Sequence, residues 1–154
     1  MRKILIFCGV IFIAMTITAC SNNNFENEHN SNNIEDEVKN MSIEIEIGEK
    51  SFTATLENNE TAKAFKKLLP LTINMNDVNG NEKYATLSKN IDKDSANNQG
   101  NIKIGDIMCW GSNGLVLFYK NFSTSYSYIK IGTVDNIDGY AEALAKGSVQ
   151  VKFK

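Results

Sequence analysis

The sequence predicts a mainly β domain, closed or nearly closed into a barrel, over residues 41–154. Three observations predict it. Apolar residues alternate with polar ones in segment after segment from Ser42 to Phe153, the period of half-buried strands. Turn signals such as Gly48-Glu49-Lys50, Asn79-Gly80 and Gly111-Ser112-Asn113-Gly114 separate the segments. Helical spacing breaks the pattern only twice. Eight or nine strands with two short helices suit a barrel with helices over its ends.

The first hairpin is the clearest element. Ile43, Ile45 and Ile47 share one face and Glu44 and Glu46 the other, and after the turn Phe52, Ala54 and Leu56 repeat the alternation. Asn58 or Asn59 is then a good N-cap, with Glu60 in the first turn where the helix dipole favours an anion. Ala62, Phe65, Leu68 and Leu69 fall at helical spacing and Pro70 stops the run. Leu71, Ile73 and Met75 return to period two, and Asn79-Gly80 supplies the left-handed residues of a tight hairpin. Tyr84 to Leu87 reads as its return strand. A polar loop is expected over 88–101. Ile102 to Ile104, Ile107 to Trp110 and Leu115 to Tyr119 are apolar and β-prone. Ser125 to Ile131 alternates again, placing Tyr126, Tyr128 and Lys130 on one face. Asp138 is expected to cap a short helix with Tyr140, Ala143 and Leu144 as its stripe and Gly147 at its end. Val149, Val151 and Phe153 form a final strand.

Ahead of this domain, residues 1–19 read as an export signal. Arg2 and Lys3 precede an apolar run from Ile4 to Ala14, and small residues lead into Cys20. The run to Ile17 is about 14 residues, short of the roughly 20 that a membrane span needs. Ile17-Thr18-Ala19-Cys20 resembles the lipobox of bacterial lipoproteins, which implies that Cys20 is lipidated and becomes the mature N-terminus. Acylation by palmitate-like chains, two of which suffice for stable attachment, would anchor the protein to the outside of the cell membrane. Residues 21–40 then form a tether: eight are Asn and five acidic, too little apolar surface to offset the entropy of ordering.

Charge and cysteine content exclude several functions. Residues 41–154 hold thirteen Lys and thirteen Asp or Glu, so they lack the basic footprint of a nucleic-acid binder. Cys109 has no partner for a disulfide within the domain and reads as a buried small hydrophobe rather than a nucleophile. The single arginine is Arg2 and the single histidine His29, so no Ser-His-Asp or Cys-His arrangement can form in the domain. No ligand spacing for zinc or calcium appears, and Asp92, Asp94, Asp135 and Asp138 read as hydrated or capping carboxylates. Neither a metal nor a cofactor is expected, nor any catalytic residue. A monomer is expected.

One constellation points to binding. Trp110, Phe118, Tyr119, Phe122, Tyr126 and Tyr128 gather six of the fourteen aromatics within nineteen residues, beside Ser123, Thr124 and Ser125. Tyrosines among small hydroxyl residues combine apolar faces with hydrogen-bonding tips. Trp110 and Phe118 are expected in the core. Tyr126 and Tyr128 either fill the barrel or contact a ligand.

Several blocks also resemble the bacterial cyclophilin-like fold proteins: Asn59 to Phe65, Leu68 to Leu71, Gly80 to Tyr84, Gly105 to Met108, Gly111-Ser112, Leu115 to Lys120 and Phe122 to Tyr128. The resemblance implies a cyclophilin-like closed eight-stranded barrel with two capping helices. It places Asn81, Glu82 and Tyr84 near the aromatic cluster, giving a candidate ligand-binding set of Tyr126, Tyr128, Phe122, Thr124, Asn81, Glu82 and Tyr84. It does not imply isomerase activity. Cyclophilins resemble one another in an arginine that donates to the twisting prolyl amide, and lysine does not replace that planar donor. The expectation is a peptide or small-molecule binding module; a divergent peptidyl-prolyl isomerase, acting through backbone N–H groups or Asn81, is the alternative. Similar domains accompany flavodoxins, but no flavin-phosphate loop is visible here.

Overall fold

The computed structural model describes residues 41–154; the expected export signal, Cys20 and the expected tether lie outside the described residues. Strands β1 (Ser42–Ile47) and β2 (Lys50–Leu56) form the expected hairpin, with Ile43 opposite Ala54 and Ile45 opposite Phe52. Helix α1 (Glu60–Lys66) follows, capped by Asn59, whose side chain accepts from Ala62 N–H at 2.8 Å. Strands β3 (Leu71–Val78) and β4 (Glu82–Thr86) meet at Asn79 and Gly80, with φ of 56° and 66°. Both residues are left-handed, and Asn81 N–H closes the turn by donating to the Val78 carbonyl oxygen at 3.3 Å.

The long polar loop is more ordered than its composition predicts. It contains β5 (Asn97–Asn98), and β6 (Asn101–Ile102) begins at its end. Ile91 is buried within it. Backbone N–H groups of Lys93 and Asp94 donate to the Thr61 hydroxyl, and the Asp94 carboxylate accepts from Thr61 N–H at 2.7 Å. The loop is thereby fastened to the first turn of α1.

Strands β7 (Asp106–Trp110), β8 (Gly114–Phe118), β9 (Phe122–Ser123), β10 (Ser127–Val134) and β11 (Val149–Phe153) follow, with helix α2 (Tyr140–Leu144) before the last. Neighbours run β2-β1-β11-β3-β4-β8-β7-β10, and β10 returns to β2. The result is a closed antiparallel eight-stranded barrel, so these strands leave no open edge. Strand β5 adds to β10, while β6 pairs only with β9.

One register shift lies between Lys130 and Gly132. This bulge explains why the inward residues of β10 run Ile129, Ile131 and then Val134, three positions on. Gly132 fits because a Cβ there would lie 2.6 Å from the Thr55 carbonyl oxygen.

The barrel interior is filled by Ile45, Phe65, Met75, Ile107, Leu115, Leu117, Ile131, Val151 and Phe153, all fully buried. Phe65 meets Phe153 edge to face at 5.4 Å and Phe52 meets Tyr140 at 5.3 Å. Two expectations are corrected. Asp138 does not cap α2: Gly139 occupies the cap at φ 74°, where no side chain can serve, and Asp138 N–H instead donates to Asn136 Oδ1 at 2.9 Å. Trp110 is not in the core, being 48 % exposed. It sits on the outward phase of β7, alternating with buried Cys109.

Candidate functional site

A second apolar cluster lies on the outside of the barrel. On β7 and β8 the residues between the interior positions are also apolar, so Met108, Val116 and Phe118 face outward yet are fully buried. Ile102 and Tyr128 complete the cluster, with Tyr84 and Phe122 packed against it. Their cover is the chain itself: β6 and β9 pair and bring Ile102 and Phe122 onto this face. Phe118 is the hub. Its ring lies 5.4 Å from Tyr128, edge to face, and 5.7 Å from Phe122.

The cover ends before β4 and β7 do. Tyr84 stands opposite Val116, and Thr86 opposite Gly114. Tyr84 leans over Gly114, where a Cβ would lie 2.7 Å from the ring and 2.6 Å from the Trp110 carbonyl oxygen. Trp110 meets Tyr84 edge to face at 6.2 Å, and the Tyr84 hydroxyl shares a hydrogen bond of 3.2 Å with Thr86. The glycine lets an exposed indole and a half-buried phenol sit side by side on the sheet.

At the other end of β4, Glu82 stands opposite Phe118. Burial first, and Asp77 second, raise its carboxyl above the ordinary value of 4.5. Tyr128 feels the same surroundings: burial, then the Glu82 charge, push its hydroxyl up to about 12 against the opposing hydrogen bond to Thr124.

Of the expected ligand set, Glu82, Tyr84, Phe122, Thr124 and Tyr128 come together on this face. Tyr126 does not share the environment of Tyr128. It precedes β10 and is 63 % exposed, whereas Tyr128 is inside the cluster. Asn81 sits in the β3–β4 turn, its carbonyl accepting from Tyr119 N–H at 3.0 Å, with its side-chain oxygen buried and unpartnered among the described residues. Sequence reasoning missed the placement of Trp110 and the part of Gly114.

It also missed Lys83. This side chain points into the barrel and is fully buried, with Nζ donating to Asp77 Oδ2 and to the Gly147 carbonyl oxygen, each at 2.5 Å. The Tyr119 hydroxyl donates to the same Asp77 oxygen at 2.5 Å, and its ring lies 5.2 Å from the ammonium. Lys83 and Tyr119 together hold the Asp77 carboxyl at about 2. The phase of β4 was the available signal, since Lys83 shares it with inward Ala85. Cys109 is buried against the interior, where burial and then Asp92 push its thiol up to about 11, a poor nucleophile.

A cleft of about 620 Å³ lies elsewhere, between the β1–β2 turn, α2 and β11. Its lining mixes Glu46, Glu49 and Glu142 with Lys50, Lys146 and Lys152 and contains no aromatic side chain. No group of His, Cys, Asp and Glu suited to a metal ion occurs among the described residues.

A closed eight-stranded barrel with two short helices agrees with a family match over residues 45–154. The chain belongs to the Cyclophilin-like family. Among solved structures, McbB in complex with tryptophan is similar at a TM-score of 0.56 and 18 % identity, over 73 % of this chain. This chain spans only 44 % of the McbB chain. A hypothetical protein from Archaeoglobus fulgidus, solved in solution, is similar at a TM-score of 0.54 and 17 % identity, over 74 % of this chain and 93 % of its own. At these identities the likeness is one of fold. No curated protein matches.

Proposed function

We propose that this protein is a lipoprotein anchored to the outside of the cell membrane through Cys20. Its cyclophilin-like barrel binds a peptide or small molecule on the outer aromatic face without turning it over. The observation that carries the binding reading is the exposed Trp110 packed on Tyr84 above Gly114. A large aromatic left half in water beside a second ring supplies contact area with little side-chain entropy to lose. Support for the anchor is the run Ile17-Thr18-Ala19-Cys20 after an apolar segment, followed by an Asn-rich tether.

Passive binding rests on chemistry the domain lacks. Residues 41–154 contain no arginine and no histidine. Prolyl rotation faces a barrier of about 18–20 kcal/mol, lowered by donors aimed at the distorted amide. The buried ammonium of Lys83 is committed to Asp77 and Gly147 and is not such a donor. The tryptophan bound by McbB belongs to that protein; at 18 % identity it lends this reading a fold and not a ligand.

A protease-coupled proline-peptide assay on the full chain separates binding from isomerisation. The expected result is no acceleration, with saturable change in Trp110 emission on adding peptides that is lost in Trp110→Ala or Tyr84→Ala by a second probe such as calorimetry. Robust acceleration would establish the alternative, a divergent isomerase for exported chains. Metabolic labelling with palmitate tests the address: label that persists in Cys20→Ala, or never appears, removes the anchor.

A further inference from the structure

We infer that the outer face selects ligands carrying an organic ammonium group, which Glu82 receives while Tyr84 and Trp110 take the apolar body. The inference rests on the binding reading above and adds the ligand's chemistry.

Five lysines are committed to other carboxylates, Lys120 lies over the Tyr119 ring at 6.0 Å, and Glu82 has no ion-pair partner among the described residues. Lys83 turns inward to Asp77, and Lys130 pairs with Asp106 at 3.2 Å and Glu57 at 3.9 Å. Lys152 and Lys154 both serve Glu46, and Lys63 serves Glu60. None of the ion pairs among the described residues includes Glu82. A half-buried carboxylate without a counter-ion is costly, and here its neighbours worsen matters. Asp77, though paired with Lys83, brings a carboxylate rather than a cation near it, Phe118 opposite is apolar, and the Tyr128 hydroxyl is held neutral by burial.

An incoming anion would meet the unpaired Glu82 carboxylate, and a neutral apolar group would bury that charge further. An ammonium offsets that charge, and its body meets the rings that stay open to water, the half-buried Tyr84 and the exposed Trp110. The ligand's body has a defined direction. Glu82 and Tyr84 lie two residues apart on the same outward phase of β4, about 7 Å along the strand. A short carbon chain therefore carries an apolar group from Glu82 to Tyr84 and Trp110. The shared chemistry is an ammonium on an apolar body, whether from a free amine or from a lysine side chain of a peptide.

Trp110 is the single tryptophan of the sequence, so its emission reports the face directly. The full chain is titrated with 2-phenylethylamine and with 2-phenylethanol, and in parallel with an acetylated Lys-Phe amide and its norleucine counterpart. The expected result is a preference of about tenfold for at least one charged probe over its neutral partner, eroded by molar salt and abolished in Glu82→Gln. The tighter of the two charged probes names the source. Equal affinity of charged and neutral probes overturns the ammonium reading while leaving the aromatic face as a binding surface. A preference that survives in folded Glu82→Gln also overturns it. Failure of every probe to bind overturns both.

Discussion

Replacing Asp77 by alanine strands an ammonium where water does not reach. Lys83 is fully buried, and without Asp77 its charge keeps the Gly147 carbonyl oxygen and the face of Tyr119. Breaking a buried pair from the side that leaves the charge inside costs about 3–5 kcal/mol, a large share of the roughly 5–15 kcal/mol that holds a domain folded. Lys83→Met is the gentler change. Methionine retains the stem's packing, and the Asp77 side chain, 31 % exposed, turns to water while keeping the Tyr119 hydroxyl and Gly80 N–H. That loss is one of hydrogen bonding, about 1–2 kcal/mol. Urea unfolding followed by circular dichroism at pH 7 measures both. The folded Asp77 carboxyl lies at about 2, below its ordinary 3.8. Its contribution is therefore complete above pH 3.8 and drains away as pH falls toward about 2. Wild type and Asp77→Ala should converge across that window. A Lys83→Met variant as damaged as Asp77→Ala, or a gap that stays constant through the acid range, would refute the reasoning.

Four further outcomes follow from the same geometry. Gly114→Ala should cost about 1–3 kcal/mol, read by thermal unfolding, and alter Trp110 emission, because its Cβ would strike the Trp110 carbonyl and the Tyr84 ring. Asn59→Ala should cost about 1–2 kcal/mol in urea, since the side chain caps α1 and also donates to the Lys130 carbonyl at 2.8 Å. Cys109 should resist maleimide in the folded state and react on unfolding, as peptide mass spectrometry would register; fast native labelling would contradict its burial. Glu82→Gln without ligand should be more stable than wild type at pH 7. The folded Glu82 carboxyl lies above 4.5, so the stability of its protonated form is complete below that pH and lost as pH rises through the folded value. The two proteins should then agree in unfolding free energy below pH 4.5.

Strands with one wet face were legible in the sequence. Ile43, Ile45 and Ile47 against Glu44 and Glu46 leave one way to place β1, and its hairpin partner follows in register. Asn59 and Pro70 bracket α1 by chemistry that acts locally. The outer cluster resisted reading because β7 and β8 are apolar at every position from Ile107 to Trp110 and from Leu115 to Phe118, so alternation cannot say which residues are covered. Their cover comes from a polar stretch whose buried anchors, Ile91 and Ile102, are single residues. Lys83 was hidden by its charge: a lysine between Glu82 and Tyr84 looks like surface until the phase of Ala85 is given priority. Asp138 had the composition of a cap, yet the chain reaches α2 through a left-handed residue that only Gly139 adopts cheaply.

The placement of any ligand is decided by what the barrel has already used. Its interior is packed with Ile45, Met75, Leu115, Leu117 and Phe153 at zero exposure, and Lys83, Asp77 and Tyr119 tie the β3–β4 hairpin to the loop before β11. Nothing of ligand size enters there without unfolding the sheet. On the outer wall, β6 and β9 cover Met108, Val116 and Phe118 with Ile102 and Phe122. That cover could have extended over Trp110 at a gain of roughly 25 cal/mol for each Å² of apolar surface removed from water. Instead Gly114 lets Tyr84 meet the indole edge to face and leaves both rings at the margin of the cover. An unclaimed gain of that kind, with a carboxylate that has no ion-pair partner farther along the same strand, is what supports the proposal that this face binds a ligand.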